Sequence, residues 1–209
     1  RNVSKELRQF LKMKVLKFGG TSLGATHRIK GVASLINDGE RKIVVLSAVS
    51  GTTNSLIEIS DYLYKNNSDG ANELINSLLM QYKHLVDDLF STNEYKQKAL
   101  EHINERFDEI RTHTKSLFTL FEERIILAQG ELLSSGIVNF YLNEIGVKSV
   151  IIPALDFMRT DKNADPNPIY IKEKLKELLA QYPEADLYIT QGFITLNAYG
   201  EVDNLKRGG

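Results

Sequence analysis

The chain has no cysteine, which excludes disulfides, thiolate metal sites and a cysteine nucleophile. It has no excess of basic charge either: 26 Lys and Arg stand against 27 Asp and Glu, for a net charge of -1. The electrostatic footprint of a nucleic-acid binder is therefore missing, and no nucleic-acid partner is expected. The histidines, His27, His84, His102 and His113, are scattered without zinc-ligand spacing and each reads as a helix-surface residue. No metal-ligating side chains are assigned. No apolar run approaches the roughly 18 residues that a bilayer span needs, and the first residues carry no signal-peptide core. The expectation is a cytoplasmic protein with no membrane partner.

What is present is ordinary for a soluble globular chain: 209 residues, 42% hydrophobic and 25% charged. That length allows one large domain or two small ones. Residues 1–12, RNVSKELRQFLK, are polar and helix-prone and read as a leader ahead of Met13. From there strand and helix alternate. MKVLKF reads as strand one, Leu23 to Asn37 as a helix closed by Asp38-Gly39, and KIVVLSA as a second, buried strand. VKSVIIPA follows as strand three, Ile169 to Gln181 as a helix, and DLYITQGFI as strand four. This succession implies βαβ units and an α/β fold with a mainly parallel sheet.

Between residues 54 and 146 no strand is legible, and the segment reads as a helical insertion. Ala71, Leu74, Ile75, Leu78, Tyr82, Leu85, Val86 and Leu89 recur at helical spacing. STNE (Ser91 to Glu94) has the spacing of a capping box, and Ile103, Phe107, Ile110, Leu117 and Phe121 extend the stripe. A third helix is expected over 122–145, ending at Gly146. Such stripes mark a core face rather than a cofactor box.

Ligands of open parallel sheets bind beyond the carboxyl ends of the strands. Four segments fall there: KFGGTS (Lys17 to Ser22), SAVSGTTN (Ser47 to Asn54), LDFMRTD (Leu155 to Asp161) and TQGFI (Thr190 to Ile194). Glycine lets backbone N–H groups approach an oxyanion without a Cβ in the way, and a helix start adds positive potential. Lys17 adds a point charge held by the strand beneath it. The segment suits a phosphate, although it is not a Walker loop, whose lysine follows its glycines. A plain strand-to-helix turn is the alternative. Glu131 stands in AQGELLSSG, where Gly130 costs a helix interior ~1 kcal/mol relative to alanine. Either something approaches closely there, or two helices cross with Glu131 on the wet rim. Arg207, before Gly208 and Gly209, could offer a bidentate fork to an anion, or could sit in a solvated turn.

Taken in order, KFGGTS, SAVSGTTN, GELLSSG, RTD, ITQGFI and RGG closely resemble the motifs of aspartokinases in the amino-acid kinase superfamily. The resemblance runs from about Lys14 to Gly209. It implies a three-layer αβα, carbamate kinase-like fold, and ATP-dependent phosphorylation of the β-carboxylate of L-aspartate, with Mg²⁺ bridging the nucleotide phosphates. The product, 4-phospho-L-aspartate, is the entry to lysine, threonine and methionine synthesis. By the same resemblance Lys17, Phe18, Gly19, Gly20, Thr21 and Ser22 line the phosphate site, with Lys17 catalytic. Ser47, Thr53, Glu131, Arg207, Gly208 and Gly209 form the aspartate side. The long insertion and LDFMRTDKNADPNP also resemble the kinase half of fused aspartokinase–homoserine dehydrogenases.

Family members continue past RGG into a serine and an aspartate, a nucleotide-binding half and regulatory ACT domains. Residues 13–209 therefore correspond to the amino-acid-binding part of the kinase domain. That part is expected to be inactive by itself, and the intact protein to be a homo-oligomer. A kinase of the same superfamily acting on glutamate, acetylglutamate or a nucleotide is the rival reading, and a non-catalytic binding module is another.

Overall fold

The computed structural model describes residues 13–115 and 117–205; the leader at 1–12 lies outside them. Strands β1 (Lys14–Phe18), β2 (Lys42–Leu46), β3 (Ser149–Ile151) and β4 (Leu187–Gln191) form one sheet in the order β1-β2-β4-β3. Every pairing in it is parallel. The register sets Lys17, Val45 and Thr190 in one row, and Phe18, Leu46 and Gln191 in the next. Because side chains alternate across a strand, each face supplies its own core. Val44, Leu46, Leu187 and Ile189 join one cluster, and Ile43 and Tyr188 the other. Helices on both faces make three layers, as a buried parallel sheet requires.

Short α1 (Gly20–Leu23) and α2 (Thr26–Ile36) follow β1, and α3 (Thr52–Tyr64) follows β2. The insertion is entirely helical apart from its connections: α4 (Ser68–Leu89), α5 (Asn93–Thr112) and α6 (Leu120–Glu144). The α4 stripe buries Ala71, Ile75, Leu78, Tyr82, Val86 and Leu89, and α5 buries Ile103, Phe107 and Ile110. On the opposite face, α7 (Ala154–Phe157) and α8 (Pro168–Ala180) pack against the Ile43 and Tyr188 side. Asn167 caps Tyr170 N at 3.1 Å ahead of α8, and Pro168 occupies its first turn, where a missing N–H costs nothing. An antiparallel hairpin, β5 (Ile194–Leu196) with β6 (Val202–Asn204), completes the described chain.

Several boundaries depart from the sequence reading. The helix expected from Leu23 breaks into α1 and α2 with Ala25 extended between them, because Gly24 lies against Ser50. Strand two stops at Leu46, and strand three is only Ser149–Ile151, ended by Pro153, which has no N–H to give. Strand four is broken after Gln191, where the next two N–H groups turn to a side chain instead of a neighbouring strand. The STNE box does not form. Glu144, from the end of α6, accepts Ser91 N at 3.0 Å and Thr92 N and Oγ1 at 2.7 Å, while Glu94 pairs with Lys98. The reciprocal box forms at Thr119 and Glu122, opening α6. Leu117 and Phe121 are exposed, since the chain leaves the helix after Thr112 and the stripe with it.

The central α6 corrects two further expectations. By length and apolar composition alone it could cross a membrane, yet 72% of its apolar window is buried inside the protein. It is the core helix of the fold. His102 is half-buried rather than fully on the surface: its Nε2 lies 3.0 Å from Leu132 O, and Gly136 leaves it room, since a Cβ there would stand 2.2 Å from the ring. Burial holds its imidazole below the usual histidine range.

Candidate active site

At the carboxyl end of β1 the chain turns directly into α1, and Ser22 N closes the turn on Gly19 O at 2.9 Å. This turn lies on the loop after β2. A Cβ at Gly20 would come within 2.9 Å of Ala48 O, and one at Gly24 within 2.9 Å of Ser50 Cβ. Phe18 O accepts Ser47 N at 3.1 Å, which ties the two loops at their roots. Gly51, at φ 87°, takes the left-handed turn that starts α3. Behind it Thr52 Oγ1 and the buried Tyr82 hydroxyl share a 2.8 Å hydrogen bond.

Gly130 explains how α6 reaches this place. A Cβ on it would lie 3.0 Å from Ala48 Cβ and 3.4 Å from Thr52 Cγ2. The glycine brings α6 against the loop, and Ser134 Oγ donates to Ser47 O at 2.7 Å to hold it there. Both alternatives read from the sequence are thus half right. Helices do cross closely at Gly130, but Glu131 is 4% exposed rather than on a wet rim.

Glu131 Oε2 accepts two backbone N–H bonds, from Gly192 at 2.7 Å and Phe193 at 2.6 Å. Burial pushes its carboxyl up to about 7 despite those bonds and the Lys17 ammonium, all of which favour the ionised form. Gly192 is squeezed from the other side: a Cβ on it would lie 2.9 Å from Val45 Cγ1 and 3.5 Å from Lys17 Cε.

These elements enclose an open cleft of about 380 Å³. Of the predicted site residues, Lys17, Gly20, Thr21, Ser47, Thr53 and Glu131 line it. Phe18, Gly19 and Ser22 do not; Phe18 packs against the core and Gly19 caps α1. Arg207, Gly208 and Gly209 lie outside the described residues. The RTD segment does not reach the cleft. Arg159 bridges to Leu196 and its guanidinium bonds Ala198 O at 3.2 Å, so this segment braces the hairpin instead. Sequence reasoning named SAVSGTTN and TQGFI as segments but passed over Ala48, Val49, Ser50, Gly51, Gly192, Phe193 and Leu205 as lining residues. The available signal was position: each but Leu205 falls within two of the strand-end segments.

The two charged groups on the wall are Lys17 and Glu131, and Thr21, Ser47, Ser50 and Thr53 supply hydroxyls. Lys17 and Glu131 both stand beside Gly192, so a cation, a buried carboxyl and several hydroxyls on one wall suit a ligand that carries both anionic and cationic groups.

The profile of the amino acid kinase family matches residues 12–209. The aspartokinase of Chlamydia trachomatis is 31% identical over 212 residues, covering 97% of this chain and 45% of its own length. The bifunctional aspartokinase/homoserine dehydrogenase 1 of Arabidopsis thaliana is 24% identical over 93% of this chain and 22% of its own length. Among solved structures, E. coli aspartokinase III in complex with aspartate and ADP superposes with a TM-score of 0.73 at 25% identity, over 95% of this chain and 44% of that one. The chain belongs to the amino acid kinase family. It spans less than half the length of these relatives.

Proposed function

We propose that the full-length protein is an ATP-dependent aspartate kinase, and that residues 13–209 form the amino-acid-binding part of its kinase domain. The observation that carries this reading is that Lys17 and a buried Glu131 line one cleft, in a chain similar to an aspartokinase solved with aspartate and ADP. The acceptor is a carboxylate already ionised at neutral pH, so no base is needed to activate it. Its oxygen forms the new P–O bond as the γ-phosphorus to ADP bond breaks. The work left to the protein is alignment and charge neutralisation between two anions.

Lys17 takes the charge on the transferred group, with the Gly20 backbone and the Thr21 hydroxyl beside it; Phe18 anchors this turn from the core. Glu131 receives the substrate ammonium, Ser47 and Thr53 the polar flank of the amino acid, and Arg207, with Gly208 and Gly209, its α-carboxylate. Magnesium would arrive with the nucleotide and keep phosphate and water ligands, supplying positive charge there. Among the described residues no group of three His, Cys, Asp or Glu side chains is placed to hold a metal. A cytoplasmic location and homo-oligomeric assembly belong to the same proposal, although the Arabidopsis relative is chloroplastic.

Coupled ADP release from the full-length enzyme, run against aspartate, glutamate, acetylglutamate and nucleoside monophosphates, tests the assignment. Aspartate should be preferred over acetylglutamate and the nucleotides by at least about two orders of magnitude in kcat/KM, because they leave Glu131 without an ammonium partner, and over glutamate by about 10- to 200-fold for one added methylene. Equal or better turnover of another acceptor would overturn it.

A further inference from the structure

We propose that Gln191 is a positioning residue for the acceptor end of the cleft: its carboxamide, bonded to Ser135 and Ala154, fixes the Gly192–Phe193 amides against the Glu131 carboxylate. The proposal rests on the aspartate kinase reading for its kinetic consequence, but not for its geometry.

Gln191 is the last residue of β4 and is 3% exposed. It does not line the cleft. Its Oε1 accepts Ala154 N at 2.8 Å, and its Nε2 donates to Ser135 Oγ at 2.7 Å. The orientation of the amide is forced, because the Ala154 N–H can only donate. Ser135 Oγ in turn donates a hydrogen bond to Glu131 O at 2.7 Å. One side chain thus joins the end of β4 to the start of α7 and to the turn of α6 that carries Glu131.

The next two residues have left the sheet. Their N–H groups have Glu131 Oε2 as acceptor, and Gly192 has no slack toward Val45. The strand end must therefore be held at one height relative to α6, or both amides miss the carboxylate together. Gln191 is the tie that sets that height. Only a carboxamide of this length offers a donor and an acceptor at once to the two partners. An apolar isostere would leave a buried Ala154 N–H unpaired, and that end of β4 free to shift.

The test uses the full-length enzyme with Gln191→Leu, which conserves volume, and Gln191→Glu, which keeps the acceptor for Ala154 but cannot donate to Ser135 when ionised. Gln191→Leu should raise the aspartate KM by about 10- to 100-fold, the usual cost of misplacing a binding group by an ångström, and leave the ATP KM within about twofold. Gln191→Glu should fall between it and wild type, and serves in its place if the leucine variant does not fold. Ser135→Ala added to Gln191→Leu should cost little more, since both break one chain of bonds.

Hydrogen exchange at the Gly192 and Phe193 amides gives a readout free of any assumption about substrate: their protection should drop in both Gln191 variants. Unchanged protection, or equal losses for ATP and aspartate, would overturn the positioning role. If the wild-type enzyme releases no ADP with aspartate, the functional reading fails, and the exchange measurement alone decides the role of Gln191.

Discussion

Replacing Glu131 by glutamine should make the ligand-free protein more stable at pH 8 while damaging aspartate binding. In the folded chain burial raises this carboxyl from its ordinary 4.5 to about 7. Between those two values the folded protein holds a proton that the unfolded chain has lost. Stability therefore falls as pH rises through this window, and the whole loss has been incurred by about pH 8. A shift from 4.5 to about 7 corresponds to about 3 kcal/mol, taken as an order of magnitude. Glutamine keeps an oxygen to accept the Gly192 and Phe193 N–H bonds and never ionises, so the variant should lose only the part of the pH dependence that Glu131 contributes. Urea denaturation of wild type and Glu131→Gln at half-unit steps from pH 5 to 8.5 measures the difference. The two curves should lie close together near pH 5 and separate steadily above it, with the variant ahead. Parallel curves, or a wild type that gains stability toward pH 8 relative to the variant, would refute the burial argument.

Three other outcomes follow from the geometry. Lys17→Ala in the full-length enzyme should lower kcat by about 10²–10³ with a much smaller change in aspartate KM, as loss of one preorganised charge donor does; steady-state kinetics in both substrates measures the split. Gly20→Ala must displace the Ala48 carbonyl, which a Cβ would approach to 2.9 Å, and should cost about 1–3 kcal/mol by chemical denaturation. Phe107→Ala empties a fully buried site where the ring meets Tyr82 edge-on at 5.9 Å, and should cost about 3–5 kcal/mol with no selective effect on either substrate.

Most of the fold was legible in the sequence because its signals are local. IVVL, after Lys42, is an unbroken apolar run, and it forms β2 with both faces covered. The α4 stripe keeps one spacing for five turns and buries as that spacing requires. Errors arose where a distant residue outbid a local one. Glu144 lies more than 50 residues from Ser91 and Thr92, yet it takes the N–H groups that the STNE pattern assigns to its own cap. Strand four ends at Gln191 for the same reason, since Glu131 captures the following amides from 61 and 62 residues away. Neither capture leaves a mark in a short window of sequence.

The site was legible in a different way, through topology rather than spacing. Strand ends of a parallel sheet converge on one edge, so KFGGTS, SAVSGTTN and TQGFI could be placed together without knowing any contact. RTD fails that rule although it too follows a strand. β3 is the far edge of the sheet, with β4 and β2 between it and β1, and the chain after β3 turns back to bridge Leu196. Glu131 is the opposite case. It sits at no strand end, on a helix whose pattern is apolar all round, and nothing periodic distinguishes it from its neighbours. The mark it does leave is energetic. A glycine beside it costs the helix stability, two serines follow it, and each is explained only by what approaches: Ala48 at Gly130, Ser47 at Ser134, Gln191 at Ser135. Small residues at successive helical positions are where other parts of the chain come close enough to enclose an acid.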